Sequence, residues 1–367
     1  MKMQPSDSPL YFIVGCPRSG TYLLSSILNA SGRIAIPTET HFVPLFRPHL
    51  WLAGDLHRPA ARRRLMRAIF IFLRVWLARA EEERNFAAVS RHSLLAIESE
   101  ATDIATASSG YAEIVIRLFE AYARQKGAPV CGDKSAFFDH IPLDQIDSAV
   151  AGSARFIHVV RDGRDVCLSW RRIKVGPRSA TEAATAWRGH VEGKKQWGLS
   201  HPDRFLEIRY EDLLQNPRVT LSKIGEFIGF EFTEELLSFH TAPYSQDIAN
   251  SSTHSRLGMP LDRWNFGKWR DELSPEDVLT FEQHAGRVLT DFGYALTHGE
   301  NTNKPSVRRR RFSAHRVRLA LKGLLPACAL CAASVHFPLD RICNSRLWLK
   351  TESWLAKNRS APVENQV

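Results

Sequence analysis

Between Gly15 and Thr21 the sequence reads Gly-Cys-Pro-Arg-Ser-Gly-Thr, entered from the apolar run Tyr11–Val14 and left through a helical pattern from Tyr22. A strand, a glycine-spaced turn and a helix start aim backbone N–H groups at one point, and that point suits an anion. Thr21 sits where a hydroxyl would meet a phosphate. The lysine that precedes such a threonine in nucleotide triphosphatases is missing, because Gly20 occupies its place. The cation is Arg18, inside the loop, and a planar guanidinium can grip two oxygens at once. Read as structure alone, the segment is a Gly-Pro turn with Arg18 in water.

The run Phe156–Val160 followed by Arg161-Asp162-Gly163-Arg164-Asp165 repeats this logic: a strand, a turn, a helix start. Ser169 lies eight residues after Arg161, two turns into that helix. Arg161 and Ser169 could hold one phosphate between strand end and helix. The competing reading has Asp162 and Asp165 capping the helix while Arg161 and Arg164 pair with them. Two anion sites at the C-terminal ends of parallel strands fit a ligand with two separated phosphate-like groups.

Together, Gly15–Thr21 and Arg161–Ser169 resemble the paired nucleotide-binding motifs of the sulfotransferases, whose donor is 3′-phosphoadenosine 5′-phosphosulfate (PAPS). Arg209-Tyr210-Glu211-Asp212-Leu213-Leu214-Gln215-Asn216-Pro217 and Phe266-Gly267-Lys268-Trp269-Arg270 extend the resemblance. It covers roughly residues 8–296, apart from an insertion. It implies a PAPS co-substrate with no metal required. Pro17, Arg18, Ser19, Gly20, Thr21 and Tyr22 would then hold the 5′ phosphosulfate, Arg161 and Ser169 the 3′-phosphate, and Tyr210 would line the donor pocket. The tyrosylprotein and bacterial members further imply Arg18 and Lys134 (in Gly132-Asp133-Lys134-Ser135) as transition-state cations. The same likeness makes Glu39, in Pro37-Thr38-Glu39-Thr40, the general base.

Each role has a plainer counterpart. Lys134 could be a surface lysine paired with Asp133, and Glu39 a salt-bridge partner of Arg18. His41 is the rival base, since imidazole titrates near neutrality. His140 is a weaker rival, and His158 reads as core. Some sulfotransferases carry a further arginine twelve residues after the strand-end arginine. Here that position is Ile173, with Arg171 and Arg172 beside it as substitutes. The segment Ser251–Ser255 could supply another hydroxyl near the sulfate.

The elements that must position these residues are legible from periodicity. Apolar runs at Tyr11–Val14, Pro129–Cys131, Arg155–Val160 and Phe205–Ile208 read as buried parallel strands. Helical patterns cover 20–30, 110–126, 163–173, 179–197, 217–229 and 274–292, the last with a Ser274 cap and Pro275 at its first position. The expected fold is a P-loop-type three-layer α/β/α domain with a central parallel sheet over residues 1–300. A helical insertion at about 41–109 would cap the acceptor cleft. A mainly helical, basic extension would occupy 301–367.

Composition limits the remaining classes. Among 367 residues, 44% are hydrophobic and 24% charged, as in a globular chain. The net charge of +10 resides entirely beyond residue 300, so the main body gives no electrostatic reason to bind nucleic acid. Residues 304–325 combine Lys304, Arg308–Arg311, Arg316, Arg318 and Lys322 with leucines, a pattern for an anionic membrane face or a solvated arm. Leu65–Leu77, interspersed with Arg67 and Arg74 and preceded by Arg62–Arg64, reads as core or as a lipid-facing surface. Six scattered cysteines suggest a reducing compartment. Cys328-x-x-Cys331 with His336 and Cys343 could hold zinc, although the context is apolar. The polar start Met1–Pro9 carries no secretory pattern, so the expected location is cytoplasmic, with peripheral membrane contact through the tail. The acceptor would bear a hydroxyl, on protein tyrosine, carbohydrate, glycolipid or a small molecule. The alternatives are a P-loop kinase-like phosphotransferase and a non-catalytic nucleotide- or membrane-binding protein.

Overall fold

A computed structural model describes residues 9–38, 40–81, 91–134, 141–173, 176–250, 254–297, 326–331 and 333. Five parallel strands form its sheet: β1 Leu10–Gly15, β2 Ile34–Ala35, β3 Val130–Lys134, β4 Ala154–Val160 and β5 Phe205–Arg209, in the order β2-β3-β1-β4-β5. Four of these match the apolar runs. β2 is the addition: Ile34 pairs with Val130 and Ala35 with Cys131, and two residues are too few to show a strand pattern. β3 runs on past its apolar residues through Gly132, Asp133 and Lys134, held by β1 alongside, where Ile13 pairs with Lys134.

β1 alternates between two cores, as the pleat requires. Leu10, Phe12 and Val14 face one cluster; Tyr11 and Ile13 face the other. Helix α1 (Thr21–Ala30) buries Leu24, Ile27 and Leu28 against the second face. The first face receives α2 (Pro59–Glu81) and α3 (Tyr111–Lys126). Helices α4 (Gly163–Ile173), α5 (Ala180–Ser200) and α7 (Pro275–Asp291) make a third cluster beyond β4, while α6 (Pro217–Ile228) packs below β5. The result is the three-layer arrangement expected. Parallel strands joined by crossover helices put every strand's C-terminal end on one edge of the sheet.

The described part of the insertion is helical, and its apolar stripe is core. Leu65, Ile69, Phe70, Ile71, Phe72, Leu73 and Leu77 are all buried, and Val75 and Trp76 pack against them. Arg62 turns inward and donates to the carbonyls of Ala105, Leu56 and His57. The lipid-facing reading of this helix is therefore replaced by packing onto the sheet. Beyond the main body, residues 326–331 are helical, and Ala329, Leu330 and Ala333 are buried in the same cluster as α2. Cys328 and Cys331 are exposed on that turn, while His336, Cys343 and the basic stretch 304–325 lie outside the described residues. Among the described residues no helix is long and apolar enough to cross a membrane, and no group of three or more His, Cys, Asp and Glu could hold a metal.

Candidate active site

The loop after β1 closes through Ser19 N–H donating to the Cys16 carbonyl at 3.0 Å. Arg18 takes φ 76° and Gly20 φ 98°, so the chain passes twice through the left-handed region before α1 begins. Gly20 tolerates this, and it also has no room for a side chain: a Cβ there would lie 2.4 Å from the Tyr210 ring. Gly15 is confined similarly, its Cβ position being 2.5 Å from the Val159 carbonyl. Gly20, the N-cap of α1, has no side chain to cap the helix. The leading N–H groups of α1 thus retain the anion-attracting character of a helix N-terminus.

Arg18 and Arg161 meet here. The Nη1 of Arg161 donates to the Arg18 carbonyl at 3.2 Å, and the Nε of Arg18 donates to Ser169 Oγ at 3.1 Å. The two segments read separately in the sequence as anion sites thus meet across the tips of β1 and β4. Burial, and then the charge of Arg161, push the Arg18 guanidinium below its usual value. Two cations held this close gain when an anion is placed between them. Arg161 lies over the Tyr210 ring at 4.5 Å and donates to the Asn265 carbonyl at 3.3 Å. Its Nε is buried without a hydrogen-bond partner among the described residues, as is Ser19 Oγ. Buried orphaned donors beside the loop fit an anionic group such as the phosphates of PAPS.

The competing ion-pair reading is also present: Arg161 lies 3.9 Å from Asp165, and Arg164 pairs with Asp162 at 2.8 Å. Arg164 is 1% exposed, donates to Asp162 and Glu282, and stacks on Trp269 at 3.7 Å. Asp165 accepts the N–H groups of Gly267 and Trp269 at 2.6 and 3.1 Å. Asp162, Arg164 and Asp165 therefore build the site's frame, while Arg161 faces the loop. Arg171 is engaged with Asp277 and Arg172 with Glu272.

Lys134 ends β3, next to the loop. It is fully buried rather than superficial, with Nζ 2.8 Å from the Tyr22 ring centroid. Tyr22 in turn meets the His254 ring at 4.0 Å; Ser251, Ser252 and Thr253 lie outside the described residues. Glu39 also lies outside them, as does His140. Glu39's flanks are fixed, however. Thr38 N–H donates to the His92 carbonyl at 2.7 Å, and Thr40 Oγ1 donates to Asp133 at 2.8 Å, one residue from Lys134. His41 is 0% exposed, at φ 58°, its ring 4.4 Å from Trp76. His158 is buried mid-strand beside Glu207, and burial lowers its pKa. Asn265 and Asp165 had no place in the sequence reading as site residues. Nothing in the spacing points to a contact between Asp165 and Gly267, 102 residues further along the chain.

Comparison with known proteins gives one consistent result. The profile of the sulfotransferase family matches residues 9–234. Rat sulfotransferase 1A1 is 23% identical over 181 residues, 41% of this chain and 62% of that protein. Cytosolic sulfotransferase 17 of Arabidopsis thaliana is 26% identical over 180 residues, 39% of this chain and 51% of that protein. The chain thus spans between half and two thirds of these curated relatives. The sulfotransferase domain of the Synechococcus PCC 7002 olefin synthase superposes with a TM-score of 0.53 at 25% identity, covering 81% of this chain and 100% of that domain.

Proposed function

Because the chain belongs to the sulfotransferase family, we propose that it moves a sulfuryl group from PAPS to a hydroxyl acceptor. The observation that carries this reading is the meeting of Arg18, Arg161 and Ser169 at adjacent strand tips. Arg161 and Ser169 hold the 3′-phosphate. Residues Pro17–Tyr22 surround the 5′ phosphosulfate with backbone N–H groups and the Arg18 guanidinium. Arg18 and Lys134 neutralise charge on the bridging and transferring oxygens as the sulfur–oxygen bond to the 5′-phosphate breaks. The acceptor oxygen attacks sulfur in line, opposite the leaving phosphate, and its proton passes to Glu39. The tethered flanks of Glu39 support this assignment, since both Thr38 and Thr40 are pinned, the latter beside Lys134. His41 is the poorer base, because its ring is wholly enclosed against Trp76. The acceptor is a hydroxyl on protein tyrosine, carbohydrate, glycolipid or a small molecule. The protein works in the cytoplasm, brought to anionic membrane faces by residues 304–325.

Calorimetric titration with adenosine 3′,5′-bisphosphate, without magnesium, tests the reading. Binding at micromolar strength or tighter is expected. Tight ATP binding that needs magnesium, with no response to the bisphosphate, would instead support a kinase-like phosphotransferase. Incubating labelled PAPS with a cell lysate and identifying the labelled product would then name the acceptor.

A further inference from the structure

We propose that Asn265 is a positioning residue that ties the two anion-binding segments into one rigid site; this rests on the donor-binding reading above. Asn265 acts through both of its polar ends. Its side-chain Nδ2 donates to Tyr210 Oη at 2.9 Å, and its backbone carbonyl accepts from Arg161 Nη2 at 3.3 Å. The Tyr210 ring is the element these contacts control. It is 5% exposed, it lies under the Arg161 guanidinium, and it fills the space that a side chain on Gly20 would need. A shift of that ring therefore moves the cation at one strand tip and the loop at the other.

Asn265 is itself held. Its N–H donates to the Asp262 carbonyl at 3.2 Å, and the residues just after it are fastened by Gly267 and Trp269 N–H groups donating to Asp165. Asp165 sits one turn after Arg161 on α4, at 3.9 Å from its guanidinium. The circuit is closed: Arg161, Asp165, the 265–269 segment, Tyr210, and back to Arg161. With Nη1 on the Arg18 carbonyl and Nη2 on the Asn265 carbonyl, the Arg161 guanidinium is held at both ends of its fork. Preorganisation of this kind lowers the entropy lost on binding.

The experiment uses the full chain with Asn265→Ala, Tyr210→Phe and the double variant. Three measurements are made: hydrogen exchange of the ligand-free protein, affinity for adenosine 3′,5′-bisphosphate, and steady-state sulfuryl transfer. In the free protein, Asn265→Ala should speed amide exchange at residues 18–22 and 161–163 while the thermal midpoint stays close to wild type. Its bisphosphate affinity should fall about tenfold. Donor KM should rise while kcat at saturating donor stays within about threefold, the signature of a lost binding contact. Tyr210→Phe, which removes only the hydroxyl, should reproduce most of the loss. The double variant should be little worse than either single one, because both break the same bond. Unchanged exchange at 18–22 and 161–163, or fully additive losses, overturns the proposal. A wild-type protein that ignores the bisphosphate would overturn the donor reading instead; the exchange measurement decides the role of Asn265 independently of it.

Discussion

Arg18 and Arg161 are two like charges pressed together by the chain, one presented by a loop and one by a strand end. The molecule tolerates the repulsion because Ser169 and two backbone carbonyls accept their N–H groups. Arg18→Ala should lower kcat by about 10²–10³-fold, the usual loss when one transition-state donor is removed. Steady-state rates at saturating donor measure this. Gly20→Ala should abolish bisphosphate binding in calorimetry, since the methyl group would enter the Tyr210 ring and φ 98° is strained for any side chain. His158 makes a prediction in pH. Burial lowers its folded pKa below the ordinary 6.5, so the unfolded chain takes up a proton that the folded one refuses. Its contribution is whole above 6.5 and is lost as pH falls from there toward the folded value. Thermal midpoints measured from pH 7.5 down to 5.5 should decline, and the decline should be shallower in His158→Gln. Arg18, Arg161 and Ser169 were legible in the sequence because each follows an apolar run at fixed spacing. Asn265 was not, because a side chain that reaches its partners only through tertiary folding leaves no local pattern.

The elements obey their sequence signals where those signals are local. Ser274 Oγ accepts the Asp277 N–H as the cap of α7, and Pro275 begins the helix. The strands β1 and β4 stand where their apolar runs do, paired from Leu10 with Ala154 to Gly15 with Val159. Pattern reading failed in two places, for different reasons. β2 owes its existence to β3 beside it, not to its own two residues. Lys134 and Asp133 belong to a strand although their polarity argues for a loop, since β1 supplies the ladder there. Helix α4 also depends on one close approach: a Cβ on Gly163 would lie 2.6 Å from both Phe281 and Trp187. Gly163→Ala should therefore push the start of α4 off that pair, at a cost of about 1–3 kcal/mol. Chemical denaturation should show the loss, and donor affinity should weaken with it, because Arg161 immediately precedes the displaced turn.

At the scale of the whole molecule, Ala329, Leu330 and Ala333 share one core with the insertion. Leu330 is 0% exposed among residues of α2 and α3. Leu330→Ala should cost about 2–5 kcal/mol in denaturant unfolding, yet leave the bisphosphate affinity unchanged, because the strand tips lie elsewhere. The sequence placed a boundary near residue 300 from a polar run and a change in charge. Packing contacts made by the apolar residues Ala329, Leu330 and Ala333 beyond it carry no such mark.

The ion-pair frame around Arg164 sets an order on synthesis. This guanidinium is buried between two carboxylates; Asp162 lies two residues before it, but Glu282 and the Ala295 carbonyl arrive more than a hundred residues later. Until they emerge from the ribosome, closing the middle of the chain would bury the Arg164 Nη1 group without its acceptor. Nascent chains released near residue 273 should thus remain protease-sensitive around 155–215, and those extended past 297 should become resistant. The frame behind Arg161 is thus completed by the last part of the main body to be made.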